Sequence, residues 1–332
     1  MIKILIIKLG ALGDVLRTTP ILHAIKEKYP DSEISWITKE ESKDILENNP
    51  KINKVFTLPY KNNETFDILF NYDIDDEAIK LASNIRAKKR YGFYNNEGYP
   101  AASNIEAEDY LNTLFDDESK RNNEKTYQES IYHISGMILL PGVRPAIPRP
   151  DLILKKEDES YSNKFCVENN LYNKNLIGIH IGASSRWPSK AWSKDKVKEF
   201  IIKLKDRDYN IIVFAGSNEK EYQENLVKEL NEQGIKVYHN NPSNSIKEFA
   251  SLVKLCKIMV CSDSFALHIS LALNIKTIGL FFCTSPDEIE GYGILTKIKS
   301  PLLHKFFPER MNEYSEELVN SISVEDVLKE VK

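Results

Sequence analysis

The stretch Ile4-Leu5-Ile6-Ile7-Lys8-Leu9-Gly10-Ala11-Leu12-Gly13-Asp14 decides the fold. Four consecutive apolar residues stop at a charge and run into a loop with two glycines. An unbroken apolar run marks a strand covered on both faces, as in a parallel sheet. Residues 14–28 then read as a helix, which makes the stretch the strand–loop–helix start of a doubly wound domain. In such a sheet, ligands sit beyond the carboxyl ends of the strands, which is where Gly10 and Gly13 fall. Glycine there permits positive φ and close approach by a ligand. The loop is not Gly-x-Gly-x-x-Gly, and no Lys-Ser or Lys-Thr follows it. Both a nicotinamide fingerprint and a Walker loop are therefore disfavoured.

Working outward, strand-like runs recur at residues 34–37, 55–58, 66–70 and 90–93, and residues 126–139 read as a helix with Ile131, Ile134 and Ile138 on one face. The prolines between Pro141 and Pro150 mark a connector. Beyond it the alternation resumes, with strands at 176–181, 211–214, 237–238, 258–261 and 277–282 and helices at 194–205 and 219–231. Residues 323–326 open a last helix with a capping-box pattern. Two βα series joined by a proline-rich segment predict an α/β protein of two doubly wound, Rossmann-like domains facing across a cleft.

Composition narrows the function. The chain has 332 residues, 42% hydrophobic and 28% charged, which suits two globular domains. The formal net charge of -4 and the lack of an aromatic–basic stripe argue against nucleic acid as a partner. Cys166, Cys256, Cys261 and Cys283 form no Cys-x-x-Cys pair and suggest neither zinc nor a disulfide scaffold, so free thiols in a reducing cytoplasm are expected. No run approaches the roughly 20 apolar residues of a membrane span, and any membrane contact is expected at the surface.

Three loops carry the candidate chemistry. In the first, Asp14 falls where a helix N-cap belongs. It is either a cap or a general base, and the helix start favours its carboxylate form. Arg17, three residues on, either pairs with Asp14 or faces an anionic acceptor. The second loop, His180-Ile181-Gly182-Ala183-Ser184-Ser185-Arg186-Trp187-Pro188-Ser189-Lys190-Ala191-Trp192, clusters hydroxyls and cations at a strand end. It reads as a diphosphate grip, with Ser184 and Ser185 donating and Lys190 or Arg186 neutralising charge, or as a solvated basic loop with Trp192 in the core. The third, Cys261-Ser262-Asp263-Ser264-Phe265-Ala266-Leu267-His268, sets Asp263 and Ser264 at a helix start, a natural anion site. His268 lies one turn inside. Glu219, after another strand, either accepts from ribose hydroxyls or supplies a favourable first-turn charge.

These loops resemble those of the ADP-heptose:lipopolysaccharide heptosyltransferases, glycosyltransferase family 9. Lys8 to Asp14 with Thr18-Thr19-Pro20 resembles the family's start, Lys190-Ala191-Trp192 its Lys-x-Trp element, and Asp263-Ser264 with His268 and Ala272-Leu273 its Asp-Ser/Thr-Gly-x-x-His segment. The motifs keep their order over most of the chain, while residues 60–150 carry none.

The resemblance implies a GT-B fold, with an acceptor domain at 1–155, a donor domain at 156–312 and a C-terminal helix at 313–332 crossing back to the first. It implies inverting transfer with neither metal nor cofactor, from a nucleotide sugar to a lipid-linked or oligosaccharide acceptor, in the cytoplasm or at the inner membrane surface. Asp14 would be the base on the acceptor side with Gly10, Gly13 and Arg17. Lys190, helped by Ser184 and Ser185, would hold the donor diphosphate. Asp263, Ser264, His268 and Glu219 would surround the nucleotide. Phe265 departs from the family's usual glycine and leaves the sugar open.

The residues agree with that chemistry, since inversion needs one base and a stabilised leaving group. No Asp-x-Asp pair ends a strand. The nearest string, Asp73-Ile74-Asp75, reads as an acidic helix start. Lys88, Lys89 and Arg90 are candidates for an anionic acceptor. Other classes that fit such a fold are a sugar-nucleotide epimerase or hydrolase and a non-catalytic nucleotide-sugar binder.

Overall fold

A computed structural model describes residues 1–331 except 62, 138–146, 206 and 208. Most of the expected connector, including Pro141, and Ile138 of the helix stripe therefore lie outside the described residues. The chain divides into two compact units. The first holds Met1–Ile153 with Asp287–Glu290, and the second holds Leu154–Pro286 with the chain from Gly291 onward.

The first unit is built on six strands: β1 Lys3–Ile7, β2 Glu33–Thr38, β3 Lys54–Thr57, β4 Thr65–Asn71, β5 Arg86–Asn96 and β6 Tyr99–Ala102. Their order is β3-β2-β1-β4-β5-β6, parallel throughout except for the terminal β5–β6 pair. Ile4, Leu5, Ile6 and Ile7 are fully buried. Each contributes about 1.5–3 kcal/mol of hydrophobic stabilisation, which is why the central strand is apolar from Ile4 to its end.

The second unit repeats the plan with β7 Leu176–His180, β8 Asn210–Phe214, β9 Tyr238–His239, β10 Ile258–Ser262, β11 Lys276–Phe281 and β12 Leu295–Lys299. The order is β12-β11-β10-β7-β8-β9, all parallel. In each sheet the strand order reverses between two neighbours, β1/β4 and β7/β10. That reversal opens a crevice at the carboxyl ends of those strands.

Two expectations are corrected. The first helix does not run unbroken over 14–28. It ends as Leu12–Thr18 and restarts as Ile21–Lys28, because Pro20 has no N–H to continue the hydrogen-bond ladder. Thr19 N–H instead bonds back to the Leu16 carbonyl at 3.1 Å. One face of the last helix, Val324–Glu330, packs into the core of the second unit. Val324, Val327 and Val331 repeat at helical spacing and join the core cluster of Phe200 and Leu204. Arg207 Nη1 donates to the Val331 carbonyl at 2.6 Å. Finally, neither Gly10 nor Gly13 takes a positive φ.

All four cysteines are free and buried. No helix among the described residues is long and apolar enough to cross a membrane.

Candidate active site

In the first unit the site is built where β1 and β4 end side by side. Asp73, just past β4, is only 7% exposed, and its carboxylate gathers the β1 loop. It accepts from Lys8 Nζ at 2.5 Å, from the Leu9 amide and from the Gly10 amide at 3.0 Å. Burial works most strongly against the Lys8 charge, but Asp73 together with Tyr127, Asp14 and Tyr110 outweighs it and holds the ammonium well above its ordinary pKa. Asn71 fixes Asp73 in turn. Its amide donates to the Asp73 and Phe93 carbonyls, and its side-chain oxygen accepts the Asp73 N–H.

Asp73 is thus a loop brace and not a helix start, which lies at Asp75 and the helix Asp76–Asn84. A sequence signal for it existed: Lys8 follows a buried strand directly, and a buried cation requires an anion.

Gly10 has a steric reason. A Cβ there would stand 3.3 Å from Asp14 Cβ and 3.4 Å from carboxylate oxygens of both Asp14 and Asp73.

Asp14 is not the N-cap. Ala11 holds that position, and Asp14 lies in the first turn of the helix, as does Gly13. Its carboxylate is 2.8 Å from Arg17 Nη2 and 35% exposed. Arg17 therefore takes the pairing role, stacked at 3.8 Å over the Tyr127 ring. Burial opposes the guanidinium charge, and Asp14 and its aromatic neighbours more than offset it. Tyr127 also shares a 2.8 Å hydrogen bond with Thr18. No local motif marked Tyr127, because its partners are more than 100 residues away.

Of the three basic residues put forward for an acceptor, Arg90 is already committed. Both its terminal nitrogens donate to the Ala82 and Ile85 carbonyls at the end of the helix Asp76–Asn84. Lys88 pairs with Asp67 at 2.7 Å, and Lys89 lies 4.8 Å over Tyr91.

The second unit carries the counterpart at its own switch point. Lys190, in the loop after β7, reaches Asp263, just past β10, at 2.9 Å. The pair occupies the place in the second sheet that Lys8–Asp73 occupies in the first. The difference is exposure: Lys190 and Asp263 are 13% and 12% exposed, and an ammonium at that depth can still meet a ligand. His268 Nε2 stands 4.0 Å from the other Asp263 oxygen.

Ser264 precedes the helix Phe265–Ala272 without capping it, and its hydroxyl is buried with no hydrogen-bond partner. Phe265 is half-buried at the first position of that helix. Ser184 and Ser185 are exposed, and Ser184 Oγ accepts the Arg186 N–H at 3.3 Å. Arg186 is also exposed and lies 4.7 Å over the Trp187 ring. Trp192 belongs to the core, its indole N–H donating to the Ile322 carbonyl at 3.2 Å.

Glu219 follows β8, where Oε2 accepts the Gly216 N–H at 3.1 Å. Gly182, after β7, lies directly against it. A Cβ at Gly182 would fall 2.5 Å from the Glu219 carboxyl carbon. All these residues therefore stand along one edge of the second sheet, the carboxyl edge.

Two doubly wound sheets, one ending in a carboxylate at a helix start and the other in a lysine and an orphaned hydroxyl, define a glycosyltransferase of GT-B fold. The chain belongs to glycosyltransferase family 9 (heptosyltransferase), whose sequence profile matches residues 142–309. It is 27% identical to lipopolysaccharide heptosyltransferase 1 of Campylobacter coli, over 99% of this chain and 98% of that protein. In fold it is similar to a family 9 glycosyltransferase of Veillonella parvula, with a TM-score of 0.77, 17% identity, and 98% and 95% of the two chains covered. It is likewise similar to the ADP-heptose LPS heptosyltransferase II of Escherichia coli, with a TM-score of 0.72, 20% identity, and 99% and 97% covered.

Proposed function

We propose that this enzyme transfers heptose from ADP-heptose to a lipopolysaccharide core acceptor, with inversion and without a metal. The single observation that carries the donor half is Lys190 at the second switch point, beside the unpartnered Ser264 hydroxyl. When the glycosidic bond breaks, the leaving diphosphate gains negative charge. Lys190 and the amide groups at the start of the helix Phe265–Ala272 meet it there.

On the acceptor side, Asp14 takes the proton of the attacking hydroxyl. One base and one stabilised leaving group make a single displacement, which inverts the anomeric centre. Arg17 holds the Asp14 carboxylate in place and favours its charged form. Heptose as the sugar is supported by what the relatives in sequence and in structure are called, and adenine as the base by the name of the Escherichia coli enzyme. The acceptor is reached from the cytoplasmic side, in contact with the membrane surface.

Thermal-shift screening against ADP, UDP, GDP and CMP tests the nucleotide. ADP at a hundredfold excess over its Kd is expected to stabilise the protein by about 2.7 kcal/mol. A preference for another base would remove ADP-heptose as donor. Transfer that persists unchanged in EDTA, with a product of opposite anomeric configuration, is the expected result for mechanism. Retention or loss of turnover in EDTA would contradict it.

The Glu219 assignment has its own test, because Gly182 is what leaves its carboxylate room. Gly182→Ala is expected to push the flexible Glu219 side chain aside and raise donor KM several-fold, while kcat changes little. An effect on kcat with unchanged KM would place Glu219 away from the ribose.

A further inference from the structure

We infer that the Thr284 hydroxyl donates a hydrogen bond to the terminal phosphate of the nucleoside diphosphate, the one the sugar leaves. This rests on the donor reading above and extends it to a residue that no motif in the sequence marks.

Thr284 lies three residues past the end of β11. It is only 8% exposed, and its Oγ1 is a buried side-chain oxygen with no hydrogen-bond partner. A second orphan, Ser264 Oγ, follows β10, and β10 and β11 are parallel neighbours whose ends align as Ser262 with Leu280. A buried hydroxyl without a partner is costly, on the order of 1–3 kcal/mol, and such a group calls for a ligand or another explanation. Here two of them end adjacent strands at the carboxyl edge, next to the Lys190–Asp263 pair. The thiol of Cys283, immediately before Thr284, senses both members of that pair: burial raises its pKa, Lys190 lowers it and Asp263 raises it again.

The order along the sheet edge says which part of the ligand Thr284 meets. Glu219 follows β8, Gly182 and Lys190 follow β7, Ser264 follows β10 and Thr284 follows β11. With the ribose at Glu219, the diphosphate runs over the β7/β10 switch point and its far end points toward β11. Three strand spacings of about 4.8 Å separate β8 from β11, or roughly 14 Å. That reach suits a ligand extended from ribose to sugar, and it leaves the nucleoside monophosphate short of Thr284.

The test is Thr284→Val, which has the same shape and removes only the hydroxyl. Wild type and variant are titrated with ADP and with AMP by calorimetry, and the melting temperature of the unliganded protein is followed beside them. ADP affinity is expected to fall about tenfold or more, as for loss of a hydrogen bond to a charged group. AMP affinity should stay the same, the unliganded Tm should hold or rise, and Thr284→Ser should recover ADP binding. Equal ADP affinity in Thr284→Val and wild type overturns the inference, as does an equal loss for AMP, which would indicate general damage. If wild type itself binds no nucleoside diphosphate, the donor reading falls and the inference with it. That outcome is distinct, because it appears before any variant is made.

Discussion

Asp14→Asn is expected to lower kcat by about 10²- to 10⁴-fold, the usual contribution of a positioned general base, while leaving donor KM nearly unchanged. The amide is isosteric and still accepts from Arg17 Nη2, which sits 2.8 Å away, but it takes no proton from an acceptor hydroxyl. The structural cost is small by comparison. Asp14 lies in the first turn of its helix, where a carboxylate contributes about 0.3–1 kcal/mol. Its pair with Arg17 is partly exposed, so the neutral variant stays folded and the loss of rate is chemical. Single-turnover kinetics with saturating donor checks this, alongside circular dichroism of the variant. Turnover within twofold of wild type would leave Asp14 as a helix-start charge only.

The largest stability effect belongs to a residue that touches no reacting atom. Asp73→Ala strands the Lys8 ammonium, only 5% exposed, without its partner. Breaking a buried ion pair on one side costs about 3–5 kcal/mol, because the remaining charge stays desolvated. It also removes the acceptor from the Leu9 and Gly10 amides, loosening the loop that leads to Asp14.

The charge term and the loop term separate in a double variant. Lys8→Met with Asp73→Asn takes both charges away while keeping a carbonyl oxygen for the two amides. It is expected to recover most of the lost stability, since a buried pair replaced as a unit is often close to neutral. Denaturant titration of the single and double variants decides the matter. A double variant no more stable than Asp73→Ala would show that the ion pair is not what matters at Asp73.

Much of this protein was legible locally. Ile4 to Ile7 must be a doubly covered strand wherever it folds, since four successive apolar side chains point to both faces. Pro20 announces the break that splits the first helix, although the apolar spacing on either side hides it. The three motif loops, each following an apolar run, place Asp14, Lys190 and Asp263 at strand ends from sequence. Other elements carried weaker marks. The helix Lys156–Asn169 is largely polar and exposed, and β12 has no fully buried residue, so neither shows the apolar pattern that betrays an element.

What remained hidden shares one physical cause. Hydrophobic periodicity and capping act over a few residues, and they fix the elements. The sites depend on which strand ends are neighbours, and that is a property of the sheet. Lys8 and Asp73 are 65 residues apart in the chain and meet because β4 inserts beside β1. Lys190 meets Asp263 because β10 inserts beside β7, and Thr284 lies on the same edge because β11 pairs with β10. The last helix shows the same division. Its sequence sets Val324, Val327 and Val331 on one face, but only packing decides that this face belongs against Phe200 and Leu204. Local patterns of residues set most of the strands and helices and the loops that end them. The tertiary structure alone decided which loops share an edge, because long-range strand order is set by burial of whole faces and not by any local string of residues.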